Sequence, residues 1–103
     1  MINVTDKTFS TEVINSKIPV VVDLWAPWCK PCLAVAPTLD QLSRDLPAIK
    51  FVKLNIDDNE VAVNYNIMSI PTFLVFSGGQ VVARHTGNAS YHILRELALS
   101  GLK

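Results

Sequence analysis

Apolar residues come in short bursts along this chain, and their spacing alternates between that of a strand and that of a helix. Ile2–Val4 predicts a short edge strand. Asp6 or Thr8 is placed to cap a helix that carries Phe9 and Val13 on one face at i, i+4. Val20–Trp25 is β-branched, apolar and short, which suits a strand buried on both faces. Cys29 to about Asp45 reads as a helix, with Leu33, Ala36, Leu39 (or Asp40), Leu42 and Leu46 recurring at helical spacing. Pro37 falls inside it and predicts a kink or break.

Lys50–Ile56 predicts the next strand, and Asp57-Asp58-Asn59 offers caps for a short helix over Glu60–Tyr65. Thr72–Ser77 and Gln80–Thr86 are two strands separated by Gly78-Gly79, a hairpin signal that makes them antiparallel. Ser90 caps a last helix with Ile93, Leu94, Leu97 and Leu102 on its buried side. Strand, helix and strand over Val20–Ile56 imply a parallel pair with a right-handed crossover. With the hairpin added, the expectation is an α/β fold: a mixed sheet with helices on both faces. No repeat, linker or low-complexity tract divides the chain, so residues 1–103 are expected to be a single domain.

Composition narrows the functional classes. Half of the 103 residues are hydrophobic and 17% are charged, which excludes a disordered chain. Two cysteines make at most one bridge, so this is no disulfide-stapled miniprotein. Nine basic residues balance nine acidic ones, and no stretch clusters Lys and Arg with aromatics. Nucleic acid is therefore not an expected partner. No apolar run approaches the roughly 20 residues of a membrane span. The start, Met1-Ile2-Asn3-Val4-Thr5-Asp6, has neither the basic beginning nor the apolar stretch of a signal peptide. The expected compartment is a reducing cytoplasm, or an organelle if a targeting segment precedes these residues. There a cysteine pair points to catalysis or metal binding before structural bridging.

The pair sits in Trp25-Ala26-Pro27-Trp28-Cys29-Lys30-Pro31-Cys32, where the first core strand gives way to a helix. At a helix start the free N–H groups and the macrodipole favour an anion, so a thiolate at Cys29 is stabilised. Pro31 lacks an N–H and suits the first helical turn. Lys30 puts a cation beside the sulfur. Free cysteine titrates near 8.5, so a drop of about one unit gives nearly tenfold more thiolate. Nucleophilicity falls with pKa, which trims the net gain to about threefold. Cysteines three apart can close an intramolecular disulfide, which lets the second release a client from the first. Three other readings compete: a structural disulfide, whose short loop restricts little of the unfolded chain; a zinc site, for which only His85 and His92 remain as good ligands; and two inert buried cysteines. A C-x-x-C beside a βαβ pattern favours redox exchange.

Two charges interrupt core strands. Asp23 breaks the Val20–Leu24 run and Lys53 breaks Phe51–Leu54. Lone buried charges cost several kcal/mol, roughly, so adjacent strands would let the two pair. The bland reading is an ion pair with no chemical role. In the functional reading, Asp23 lies behind the cysteines, burial raises its pKa and Lys53 opposes the shift. Such a carboxylate is able to take the proton of Cys32 as that thiol attacks. Ile70-Pro71-Thr72 precedes a core strand, where proline is tolerated. Trp25 and Trp28 read as core fillers, or, for Trp28, as a partly exposed neighbour of Cys29.

Taken together, these residues resemble the thioredoxin family. The resemblance rests on Val22–Cys32, Ala36-Pro37, Lys53–Asp57, Tyr65-Asn66-Ile67, Ile70-Pro71-Thr72, Phe76, Gly79 and Gly87, in order and with family spacing. It implies the thioredoxin fold, a central five-stranded mixed β-sheet flanked by four α-helices, and disulfide reductase activity. It implies Cys29 as nucleophile, Cys32 as resolving thiol, Asp23 as buried proton acceptor, Lys53 as its partner and Pro71 as a cis-proline facing the sulfurs. The backbone of Ile70 would pair with an extended client segment. Trp28, Pro31, Ile70 and Gly87 would line a flat docking surface, with Lys30 adding charge to it. The implied partners are disulfide-containing client proteins, with an NADPH-dependent flavoprotein thioredoxin reductase as regenerator. The expected form is a monomer without cofactor or metal.

Departures from the family pattern are local. Lys30-Pro31 replaces the usual Gly-Pro, Leu33 stands where a basic residue is usual, Ser69 replaces a common glycine, and Thr86 and Asn88 replace apolar rim residues. These bear on partner choice more than on chemistry. The alternatives are a non-catalytic binding subunit that uses the same surface and an oxidase- or isomerase-type protein.

Overall fold

Strand β2 (Val20–Trp25) is the centre of the sheet, and the computed structural model describes residues 1–103 around it. On one side β2 pairs in parallel with β3 (Lys50–Asn55), Val20 opposite Lys50 through Trp25 opposite Asn55. On the other it pairs antiparallel with β4 (Thr72–Ser77). A two-residue β1 (Ile2–Asn3) runs parallel to the outer edge of β3, and β5 (Gln80–Thr86) closes the other edge, antiparallel to β4. The five-stranded mixed sheet thus has the order β1-β3-β2-β4-β5. Gly78 and Gly79 make the β4–β5 turn with φ of 60° and 82°, the positive pair that a tight hairpin turn demands.

The apolar run of β2 is buried on both faces because both are covered. Val20, Val22 and Leu24 face one layer with Val4, Phe9, Val13, Leu74 and Phe76. Phe9, Tyr65 and Phe76 meet there with ring centroids 5.4–5.9 Å apart. Val21 faces the other layer, with Phe51, Phe73 and Val75 from the sheet. That layer is closed by Val35, Leu39 and Leu42 of α1 (Lys30–Asp45) and Leu94 and Ala98 of α3 (Tyr91–Leu99). Burying each of these large side chains contributes about 1.5–3 kcal/mol.

The helices depart from expectation in detail. Helix α1 continues without a break through Pro37. Its buried face is Cys32, Val35, Leu39 and Leu42, which leaves Leu33 half exposed. On α3 Ser90 is the cap, its Oγ accepting the Ile93 N–H at 3.3 Å, but Leu94 and Ala98 form the buried side. Ile93 and Leu102 are half exposed instead. The first helical segment, Ser10–Ile14, is wound as a π-helix, and neither Asp6 nor Thr8 caps it. Thr8 Oγ1 takes the Thr5 N–H. The Asp6 carboxylate instead accepts the N–H groups of Glu60 (2.9 Å) and Val61 (3.3 Å), capping the short α2 (Val61–Asn64) from 54 residues away. Asn59 returns a bond to the Asp6 amide, so the Asp57-Asp58-Asn59 segment locks the cap without supplying it.

Candidate functional site

The chain leaves β2 at Trp25 and turns at Ala26, whose carbonyl accepts the Cys29 N–H at 3.1 Å. Cys29 is the N-cap of α1, with extended backbone, and its Sγ accepts the Cys32 N–H at 3.2 Å. A sulfur therefore occupies the place where a serine or aspartate oxygen usually caps a helix. The same donor and the helix dipole favour negative charge on that sulfur once the pair is reduced. Pro31 lies in the first turn, where its missing N–H costs nothing, and Lys30 is exposed beside it. Cys29 and Cys32 are joined in a disulfide, with Cα atoms 5.2 Å apart. They pack in a small cluster with Ala26, against Trp25, Ile56 and Ile70.

The cysteines are nearly buried, but their surroundings are open. Trp28 is 66% exposed and Met68 92% exposed. With Ile56, Ile67, Ser69 and Ile70 they line a largely apolar groove of about 320 Å³. Trp28 Nε1 donates to both carboxylate oxygens of Asp57, at 3.0 and 3.2 Å, which orients the indole. The Ile70–Pro71 bond is cis. The Pro71 carbonyl accepts the Gly87 N–H at 2.8 Å, and Thr72 Oγ1 donates to the Ser69 carbonyl at 2.7 Å. Ile70, between those anchors, uses neither its amide nor its carbonyl within the protein. A larger polar recess of about 550 Å³ opens near Asn3, Asp6 and Asn59, and neither cysteine lines it.

Asp23 is 4% exposed and has the parity of Val21, so it lies on the sheet face that α1 covers. Burial pushes its carboxyl from 3.8 up to about 7, and the Lys53 charge opposes that shift. The two residues stand opposite each other in β2 and β3, as the pattern of charges suggested. They do not form the expected direct pair. Asp23 Oδ1 has no hydrogen-bond partner, and Lys53 Nζ lies 5.0 Å from the centroid of the Trp25 ring. The ammonium keeps part of its hydration and gains a cation–π contact, which spares the cost of desolvating both charges. Lys53 thus acts on Asp23 through the field and not through contact.

Ile56 and Ile70 pack against Cys29 and Cys32 and also line the groove with Trp28, so cysteine cluster and groove adjoin; Lys30 and Pro31 lie on the helix start, and Pro71 follows Ile70 and is bonded to Gly87. No three His, Cys, Asp or Glu side chains come together in a metal-holding group. The sequence does not single out Met68, and it offers Asp57 as a cap and as the end of the Lys53–Asp57 stretch but not as a partner of Trp28. The signal for Asp57 is its place two residues past the end of β3, at the same end of the sheet as Trp28.

The family model described as Thioredoxin matches residues 1–99. The chain belongs to the thioredoxin family. Among similar proteins, thioredoxin 1 of a Nostoc species is 53% identical over 81 residues, covering 77% of this chain and 76% of its own. Thioredoxin 1 of Synechococcus elongatus is 52% identical over 81 residues, with the same coverage of 77% and 76%. Thioredoxin of Haemophilus influenzae is 43% identical over 89 residues, covering 84% and 83%. As a thioredoxin-family member with its C-x-x-C pair in place, the protein is a thiol–disulfide oxidoreductase that acts on protein disulfides by dithiol–disulfide exchange. No helix is long and apolar enough to cross a membrane.

Proposed function

We propose that Cys29 is the attacking sulfur of a general protein-disulfide reductase and that Cys32 resolves the intermediate. The observation that carries this order is the Cys29 Sγ at the N-cap of α1, accepting the Cys32 N–H. In the reduced protein the Cys29 thiolate attacks one sulfur of a client disulfide. A Cys29–client S–S bond forms, and the other client sulfur leaves as a thiolate and takes a proton. Cys32 then gives its proton to Asp23 and attacks Cys29 Sγ. The Cys29–Cys32 bond forms, and the second client sulfur departs and is protonated. The client has gained two electrons and two protons, and the protein is left in the disulfide form seen in the structure.

Asp23 suits proton transfer because its pKa of about 7 lets it take up and release a proton near neutrality. Lys53 offsets part of the burial that would otherwise hold the carboxyl protonated. Clients dock as extended segments on the unused backbone of Ile70, over a surface of Trp28, Lys30, Pro31, Ile70, Pro71 and Gly87. An NADPH-dependent flavoprotein thioredoxin reductase returns the pair to the dithiol. Residues 1–103 work as one domain, as a monomer, in the cytoplasm.

The test is reduction of insulin disulfides with dithiothreitol as electron source. The protein accelerates the reaction, and Cys29→Ser abolishes the acceleration. Full activity in Cys29→Ser would overturn the assignment and favour a binding role for the same surface.

A further inference from the structure

Helix α2 is four residues long, too short to hold itself, and each of its ends is staked from elsewhere. Asp6 holds the N-terminal end. At the other end Asn66 adopts φ of 57°. Its N–H bonds to the Val63 carbonyl (3.1 Å) and the Ile67 N–H to the Ala62 carbonyl (2.9 Å), the double closure that ends a helix in a left-handed residue. That closure leaves the Tyr65 and Asn66 carbonyls without partners of their own. Arg84 supplies them from β5, Nη1 donating to Tyr65 O at 3.3 Å and Nη2 to Asn66 O at 3.2 Å. Arg84 forms no ion pair, so its guanidinium is committed to these two carbonyls.

The next residues, Ile67 to Ile70, are the wall of the groove beside the cysteines. This strap is held at its far end by Thr72 on the Ser69 carbonyl and by Gly87 on the Pro71 carbonyl. Arg84 holds its near end. All three anchors belong to β4, β5 or the residue directly after β5, so the hairpin frames the strap. Between the anchors lie the most exposed large apolar side chain of the groove, Met68, and the unused backbone of Ile70.

We propose that Arg84 is a positioning residue for client docking: its guanidinium fixes the start of the strap and so presents Met68 and the Ile70 backbone to an extended, disulfide-bearing segment. This rests on the docking surface proposed above. Arg84 touches neither cysteine, so it sets how well a protein client is held and not how fast sulfur exchanges.

The experiment compares insulin reduction, with dithiothreitol as electron source, against reduction of oxidised glutathione, which is too small to span the strap. Arg84→Gln raises the KM for insulin about three- to tenfold, the effect of losing two exposed hydrogen bonds. Its kcat, its rate with oxidised glutathione and its reduction potential stay at the parent values. Arg84→Lys, which keeps a donor but not the fork, falls between. Met68→Glu alters the strap directly. A raised KM in Met68→Glu with an unchanged KM in Arg84→Gln would overturn the positioning role and leave the docking surface standing. An unchanged KM in both variants would overturn the docking surface and the role of Arg84 with it. Equal losses with insulin and oxidised glutathione in Arg84→Gln would show a merely structural residue.

Discussion

Replacing Asp23 with asparagine removes a buried charge without changing the shape of the side chain, and the consequence is a pH-dependent gain in stability. The carboxyl titrates at about 7 in the folded protein against 3.8 for an ordinary aspartate. Below about pH 4 it is protonated in both the folded and the unfolded chain. Between about pH 4 and 7 the folded protein holds a proton that the unfolded chain has released, so stability falls as pH rises through that window. Above it both forms are charged and the loss is complete. Three pKa units at about 1.36 kcal/mol each give about 4 kcal/mol lost by pH 8. Asp23→Asn carries no such titration, and whatever its amide costs in the same pocket is independent of pH. The stability difference between variant and parent should therefore climb in favour of the variant by about 4 kcal/mol from about pH 4 to about pH 8. For a chain of this size that corresponds to roughly 15–25 °C in Tm. Urea melts of the oxidised protein across the range measure it, with the disulfide excluding thiol titration. A difference that stays flat with pH would refute the buried, proton-holding carboxyl.

Two further outcomes follow from the same geometry. Lys30 is exposed at the start of α1 and favours the thiolate of the reduced pair, so Lys30→Gly should lower the reduction potential by about 5–20 mV, less at high salt; equilibration against glutathione measures the shift, and identical potentials would contradict it. Asp6→Ala removes the remote cap of α2 and should cost about 1 kcal/mol in urea melts, with the Glu60 and Val61 amides exchanging faster before any others.

The sheet was legible because its strands carry their signals locally. Val20–Trp25 is apolar on both faces, and Gly78-Gly79 announces its hairpin, so both strand pairs flanking those signals fall where the pattern puts them. The cysteine pair was legible for the same reason, since a strand end and a helix start are both written beside it. What escaped were partnerships between distant residues. The Asp6 cap on α2 spans 54 residues, and no local spacing distinguishes it from the adjacent Asp57-Asp58-Asn59. Lone opposite charges in two core strands predict a contact pair of Asp23 and Lys53, yet the long, flexible lysine side chain settles with its ammonium over Trp25. Leu33 and Ile93 fit a helical stripe by spacing alone. Which stripe faces the sheet depends on how each helix is rotated against it, and that is fixed by Val35, Leu39, Leu94 and Ala98.

The central claim is that Cys29 forms the bond to the client and Cys32 breaks it. Cys32→Ser, incubated reduced with insulin and analysed by peptide mass spectrometry, measures this directly. The account predicts a mixed disulfide that accumulates through Cys29 and is released by added thiol. Reduced Cys32→Ser that forms no such adduct, while the paired Cys29→Ser traps insulin through Cys32, would contradict it.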